Sequence, residues 1–283
     1  MSAPTQRLAV FQSLWAMEQL PWGAERPWTL AERVERIADA GFSGVAVDLG
    51  AREAPTAAEL RPLLAAHDMR CLVLAFVNDA KPLADALHYV DAIGAEGVVV
   101  CGQVFPPTVD EAAHVVSGWM DEAAAAGVAF ELETHRYTIT NDLGFAVRLL
   151  EALPELRIAA DLSHYVVGNE LPDAGDARSD ALVAQILGRA TSFQGRVATR
   201  GQVQVSLTFA HHAAAVARFR GWWRAGFTSW RSRSAPDAEL TFVCELGAPP
   251  YPISGPDGTE LSDRWDEALL LRDWAHELFA EAG

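Results

Sequence analysis

Residues 97–133 read GVVVCGQVFPPTVDEAAHVVSGWMDEAAAAGVAFELE, and this stretch decides the fold. It opens on the run GVVVC (97–101), apolar and without strict polar alternation, as expected of a strand buried on both faces. Thr108, set before Asp110 and Glu111, is a helix N-cap candidate, and an amphipathic helical pattern follows it. A second apolar run, VAFELE (128–133), ends on Glu133. Strand, helix and strand in this order make a βαβ unit, whose strands run parallel.

Working outward, the same unit recurs along the chain. Further strands are predicted at 8–12 (LAVFQ), 44–49 (GVAVDL), 71–76 (CLVLAF), 157–162 (RIAADL), 192–197 (SFQGRV) and 240–245 (LTFVCE). Helical patterns lie between them. In residues 29–42, Thr29 is the N-cap candidate, Leu30, Val34, Ile37 and Ala38 form the apolar stripe, and Gly41 is a natural stop. Asn141, Asp142 and Asp263 are further start signals. Eight βα units predict a closed (β/α)8 TIM barrel, one domain over residues 1–283. An open doubly wound sheet is the alternative, and no early GxGxxG favours it. Two long loops, 13–28 and 246–262, are expected to act as pocket walls or lids.

Composition narrows the function. Half of the 283 residues are hydrophobic, ample for a large core, and the formal net charge is −16. That balance argues against nucleic acid as a partner, because phosphate backbones call for basic surface. No apolar stretch is long enough to span a bilayer, and MSAPTQRLAVFQSLWAM lacks a basic segment followed by a clean apolar one. Cys71, Cys101 and Cys244 sit in apolar runs without CxxC spacing, which suits a reduced interior. The expectation is a cytoplasmic protein acting on a small molecule, away from membranes.

Four acidic or amide residues mark the ends of four successive predicted strands: Glu133, Asp161, Gln194 and Glu245. Parallel strands deliver their last residues to one rim, so these four converge. Carboxylates facing one another across a pocket could hold a divalent cation or run acid–base chemistry. His135 lies two residues beyond Glu133, and Arg196 two beyond Gln194, each on the same face of an extended chain. A guanidinium there would grip a substrate oxyanion or neutralise the carboxylates, or else form a structural ion pair inside the barrel. His164 completes a D-x-x-H pair with Asp161, although an aspartate after a strand is often only a cap.

Together these segments resemble the xylose-isomerase-like TIM-barrel superfamily, in its sugar isomerase/epimerase branch. ELETH (131–135) is similar to its E-x-H strand end, and DLSHYVVGNE to its D-x-x-H segment. SFQGRVATRGQVQV (192–205) is similar to a segment running H-x-H-x-R-V-G and then P-Q-V, and ELGAPPY (245–251) to E-x-G-x-P-P-Y. The resemblance implies a divalent cation held by Glu133, Asp161, Gln194 and Glu245. Glu133 and Glu245 would then act as base and acid beside a substrate carbonyl, with His164 touching the substrate. The departure lies at Ser192 and Gln194, which stand where the family has histidines. An amide oxygen suits Mg or Mn better than Zn. Three outcomes follow: an oxygen-ligand metal site, a metal-free acid–base enzyme (a lyase, dehydratase or tailoring enzyme included), or a small-molecule-binding barrel that has lost the chemistry.

Other side chains carry their own readings. Trp15, Trp22 and Trp28 crowd the first long loop, and Trp15 is the candidate to stack on a substrate. Trp222, Trp223 and Trp230 read as helix packing or as a contact in a homo-oligomer. His211 and His212 read as a solvated helix face, or as a replacement ligand. Cys101 ends its strand and reads first as a small buried thiol. Lys81, the single lysine, follows the third strand at loop distance, a poor place for a Schiff base.

Overall fold

A computed structural model describes residues 6–283; residues 1–5, where the N-terminal stretch weighed above begins, lie outside the described residues. Eight parallel strands close in sequence order into a barrel. They are β1 (Arg7–Ser13), β2 (Gly44–Asp48), β3 (Arg70–Val77), β4 (Gly97–Gly102), β5 (Ala129–Glu133), β6 (Ile158–Ala160), β7 (Ala190–Gly195) and β8 (Glu239–Cys244). The seam is made by β8 on β1, paired from Arg7↔Glu239 to Gln12↔Cys244. Among the described residues the helices are α1 (Leu30–Asp39), α2 (Ala57–Ala66), α3 (Leu83–Ile93), α4 (Val109–Ala125), α5 (Leu143–Ala152), α6 (Leu162–Gly168), α7 (Ala177–Leu187), α8 (Ala213–Arg233) and α9 (Arg264–Glu281). None is long and apolar enough to cross a membrane.

The start signals act as expected except Asn141, whose Oδ1 accepts the Tyr137 N–H in the turn before α5. Thr29 and Glu32 form a reciprocal capping box on α1, and Thr108, Asp142 and Asp263 each accept a backbone N–H at the head of α4, α5 and α9. Gly41 follows α1 with φ +78°, a conformation that spares glycine the cost a side chain would bring.

Strand alternation builds two cores. Val10, Val45, Val73, Val98, Leu132 and Phe193 face the helices and join the large outer core. Ala9, Phe11, Ala46, Leu72, Leu74, Val99, Ala159 and Val243 form a separate cluster that fills the barrel. Gly44 makes room for it: a Cβ there would come within 2.5 Å of the Phe11 ring. Two residues beyond the inward positions come Asp48, Phe76, Cys101, Asp161 and Glu245, so the same alternation that packs the barrel aims these at its C-terminal mouth.

Four strands end one or two residues before the sequence reading has them, β2 at Asp48, β6 at Ala160, β7 at Gly195 and β8 at Cys244. β6 is only three residues long, and Asp161 is the N-cap of α6 instead of a strand residue. A seven-residue helix is too short to show an apolar stripe, so α6 reads as a turn in the sequence. Glu245 lies one residue beyond β8. Farther on, α8 begins only at Ala213, and His211 and His212, read as a helix face, sit in the 3-10 turn Ala210–His212 before it. Trp223 and Trp230 are buried in the outer core.

Candidate active site

The barrel mouth holds a cavity of about 280 Å³, lined among others by Trp15, Asp48, Glu133, His135, Arg196 and Glu245. Its wall comes from the two long loops. The 3-10 turn Trp15–Met17 sets the Trp15 ring edge-on to Tyr251, with centroids 4.9 Å apart. Gly247 allows that approach, since a Cβ there would meet the Trp15 ring at 2.1 Å. Gln204 fastens the same turn: its amide accepts from the Gly247 N–H (2.6 Å) and donates to the Gly247 carbonyl (3.2 Å). Arg264 ties the loops together from behind. Buried against Glu260 (2.7 and 2.9 Å), it donates to the carbonyl oxygens of Ala16 and of Glu18, the latter at 2.8 Å. Both predicted loops are therefore walls of the cavity.

Inside the cavity Arg196 dominates. Its Nη2 donates to Asp161 Oδ2 (3.0 Å) and to Glu245 Oε2 (2.8 Å), and its Nε also reaches Asp161 Oδ2 (3.2 Å). Burial works against this charge, yet Asp161 and Glu245 outweigh it and hold the guanidinium above its ordinary range. The other Asp161 oxygen accepts from the Ser163 N–H (2.8 Å) and hydroxyl (2.5 Å). Gln194 offers its amide nitrogen to Glu133 at 3.5 Å, a long contact, and leaves its buried Oε1 without a partner. Arg196 Nη1 is likewise buried and unpartnered. Orphaned polar atoms of this kind are costly unless a ligand completes them.

Both glutamates are raised above the ordinary carboxylate range. Burial, then the charges of Glu245 and Asp161, push Glu133 well above the usual carboxylate range. Burial also lifts Glu245, to about 8, although Arg196 pulls the other way. Clustered carboxyls cannot all ionise in a dry site, so this is the behaviour expected of them. Asp48, at the end of β2, is raised to about 6, again first by burial.

The histidines are neutral, and their tautomers follow from their partners. His135 Nδ1 lies 2.6 Å from the Arg136 carbonyl, which can only accept, so Nδ1 carries the proton and Nε2 keeps the free lone pair. Burial lowers His135 to about 4. His164 stacks on it, ring centroids 3.7 Å apart, and is pushed well below its ordinary value by burial and by that neighbour. Arg136 donates to His164 Nδ1 (3.4 Å), which leaves the proton on Nε2, facing Asp161 Oδ2 at 3.4 Å.

The donor groups bear directly on a metal. Among the described residues, two sets of three donors lie within 4.8 Å of one another: Glu133, Asp161 and His164, and Cys101, Glu133 and His135. Glu245 joins neither. A cation shared by Glu133, Asp161, Gln194 and Glu245 does not fit the arrangement. Arg196 already bridges Asp161 and Glu245, and Ser163 holds the remaining Asp161 oxygen.

All eight residues singled out from the sequence lie at this mouth, with Trp15, Glu133, His135, Arg196 and Glu245 lining the cavity and Asp161, His164 and Gln194 buried behind it. Asp48 was missed, though the strand-end reading that found Glu133 would have found it on β2. Glu18, buried in a loop with its carboxylate accepting the Glu53 N–H (2.8 Å), has no sequence signal at all. His211 and His212 lie outside the cavity, with His212 Nδ1 bonded to the Ser206 carbonyl at 2.9 Å. Lys81 lines a neighbouring cavity beside Asp85.

No protein-family model matches the chain, and no curated protein matches it either. Solved structures do. A xylose isomerase-like TIM-barrel protein from Mycobacterium smegmatis, in complex with magnesium, superposes with a TM-score of 0.62 at 17% identity, over 100% of this chain and 99% of that one. D-allulose 3-epimerase from Methylomonas sp. gives 0.60 at 15% identity over the whole of both chains. A probable 3-DHS dehydratase from Bacillus anthracis gives 0.51 at 12%, over 83% of this chain and 92% of its own. The chain thus has the fold of the xylose isomerase-like TIM barrels.

Proposed function

We propose, starting from that shared fold, that this protein moves a proton next to the carbonyl of a small sugar- or polyol-like substrate, in an epimerase- or isomerase-type reaction. The observation that carries the reading is the pair Glu133 and Glu245. They enter one cavity from strands separated by β6 and β7, and both are held above the ordinary carboxylate range. The fold neighbours named as sugar epimerases support it at the level of fold.

Glu245 is the base. It is the carboxyl paired with Arg196, which favours its ionised form, whereas Glu133 lacks such a partner and keeps its proton as the acid. Proton abstraction beside a carbonyl leaves an enediolate, whose charge needs a preorganised donor. Arg196 Nη1 is that donor: it is buried, cationic and without a partner. His164, neutral and buried, lies behind this centre, while Trp15 and Tyr251 cover the substrate and exclude water. No step is routed through a metal held by the four strand-end residues, because Arg196 and Ser163 already engage Asp161 and Arg196 engages Glu245.

The test is solvent-deuterium exchange, followed by NMR, on a panel of ketohexoses, pentuloses and keto-polyols. Wild type should place deuterium on the carbon next to the carbonyl of at least one member, and Glu245→Gln should lose the exchange while keeping the fold. Exchange at near-normal rate in both Glu133→Gln and Glu245→Gln would overturn the assignment. Elimination of water in place of exchange would move the reaction to a dehydratase.

A further inference from the structure

In the second donor set, Cys101, Glu133 and His135, the thiol and the imidazole belong to no step described above. The set's three members come from the end of β4, the end of β5 and the residue two beyond it, and all three line the cavity. A thiol sulfur, a carboxylate oxygen and a ring nitrogen lie within 4.8 Å of one another.

We infer that these three residues form a binding site for a single thiophilic divalent cation of the zinc class. Sulfur, nitrogen and oxygen donors together select a borderline-soft ion over Mg or Ca. Three protein donors beside an open cavity leave the fourth position of a tetrahedral ion for water or a substrate oxygen. The orientation of His135 is the independent mark of such a site. Its Nδ1–H is tied to the Arg136 carbonyl, and its ring is held between Phe76 (centroids 5.3 Å, edge-on) and His164. A metal-binding imidazole is characteristically fixed in this way, one nitrogen donating to a carbonyl and the other presenting its lone pair.

The competing set, Glu133, Asp161 and His164, fails on the same criteria. Both Asp161 oxygens are engaged by Ser163 and Arg196, and His164 receives the Arg136 hydrogen bond at Nδ1 and so carries its own proton at Nε2. Cys101 is engaged by Glu133, which is itself a member of the proposed set. Coordination there replaces the thiol S–H and the Glu133 O–H bonds with bonds to the ion and releases both protons to solvent, so affinity rises with pH. Burial and the neighbouring carboxyls keep the free thiol from ionising by itself, so Cys101 stays a thiol until an ion arrives.

The site does not rest on the proton-transfer reading, although Glu133 is common to both. The probe is Co(II), with Zn(II) as competitor, added to the full chain. Expected is one ion per chain, with a thiolate-to-cobalt charge-transfer band that Zn(II) abolishes. Cys101→Ser should remove the band and weaken binding at least about 100-fold, since losing even the group behind a ligand costs about 10–100-fold. His135→Gln should weaken binding similarly while keeping the band at saturation. Cys71→Ser should leave the band intact, because Cys71 and Cys244 belong to the outer core on the far side of the strands. Glu245→Gln should lose exchange and still bind cobalt, which separates failure of this site from failure of the proposed reaction. Absence of the band at saturating cobalt, or an undiminished band in Cys101→Ser, would overturn the inference. Circular dichroism of each variant checks that it has folded.

Discussion

Both ends of the barrel carry arginines among carboxylates, and they are built to opposite rules. At the N-terminal end Arg70 pairs with Glu96 and Glu239, and Glu131 accepts from the hydroxyls of Thr191 and Ser192 at 2.5 Å each. These groups keep contact with solvent: the Arg70 and Glu96 side chains are 37% and 39% exposed. At the C-terminal end Arg196, Asp161 and Glu245 show no more than 6% of their side chains. There Gln194 Oε1, Arg196 Nη1 and His164 Nε2 have no hydrogen-bond partner. The first end is a satisfied structural clasp. The second is left incomplete, and incomplete buried polarity is what a ligand can complete.

The comparison breaks most decisively on turnover. Glu133→Gln and Glu245→Gln should each lower turnover by about 10²–10⁴-fold, the usual worth of a positioned acid or base. Glu131→Gln, at the other end of the same barrel, should leave turnover unchanged. A rate assay on the substrate found by deuterium exchange checks all three.

Stability should divide the ends next. Arg196→Met strands the buried Asp161 carboxylate, leaves Glu245 unpaired and should cost about 3–5 kcal/mol in a denaturant melt at neutral pH. Arg70→Met opens a part-exposed pair and should cost about 1 kcal/mol or less. Equal losses would mean that the C-terminal cluster is screened like a surface.

The pH dependence sharpens the same point. Glu245 has a folded value of about 8 against an ordinary 4.5, so the folded state holds a proton that the unfolded chain has lost. Its contribution to stability is full below about 4.5 and is lost as pH rises through about 8. Asp48 acts in the same direction, between 3.8 and about 6. His135 acts in the opposite sense. Its depressed value makes its contribution full above 6.5 and lost as pH falls through about 4. Melting temperature should therefore fall between pH 6 and 8.5, and Glu245→Gln should flatten that fall. An unchanged slope in the variant would show that Glu245 is not the titrating group.

The smallest effect lies away from both ends. Thr29→Ala removes one arm of the α1 capping box and should cost about 1 kcal/mol, with turnover untouched.

Much of this was legible in the chain because the signals are local. Apolar runs such as GVVVC and caps such as Thr108 and Asp263 are set by nearest neighbours, and eight of the former in order leave few topologies. Strand-end position gave Glu133 and Glu245 for the same reason, since alternation fixes the face. Where locality failed, so did the reading. The α6 helix is too short for a period, and Glu18 reaches the cavity from an irregular loop.

What the sequence by itself determined is therefore the barrel and the rim at which its chemistry-bearing residues gather. Tertiary structure alone decided how they divide. It placed the Arg196 guanidinium between Asp161 and Glu245, turned the His135 lone pair away from the Arg136 carbonyl, and brought Cys101 to Glu133. Those choices rest on through-space electrostatics and hydrogen bonding between groups tens of residues apart. Local periodicity carries no record of such distances.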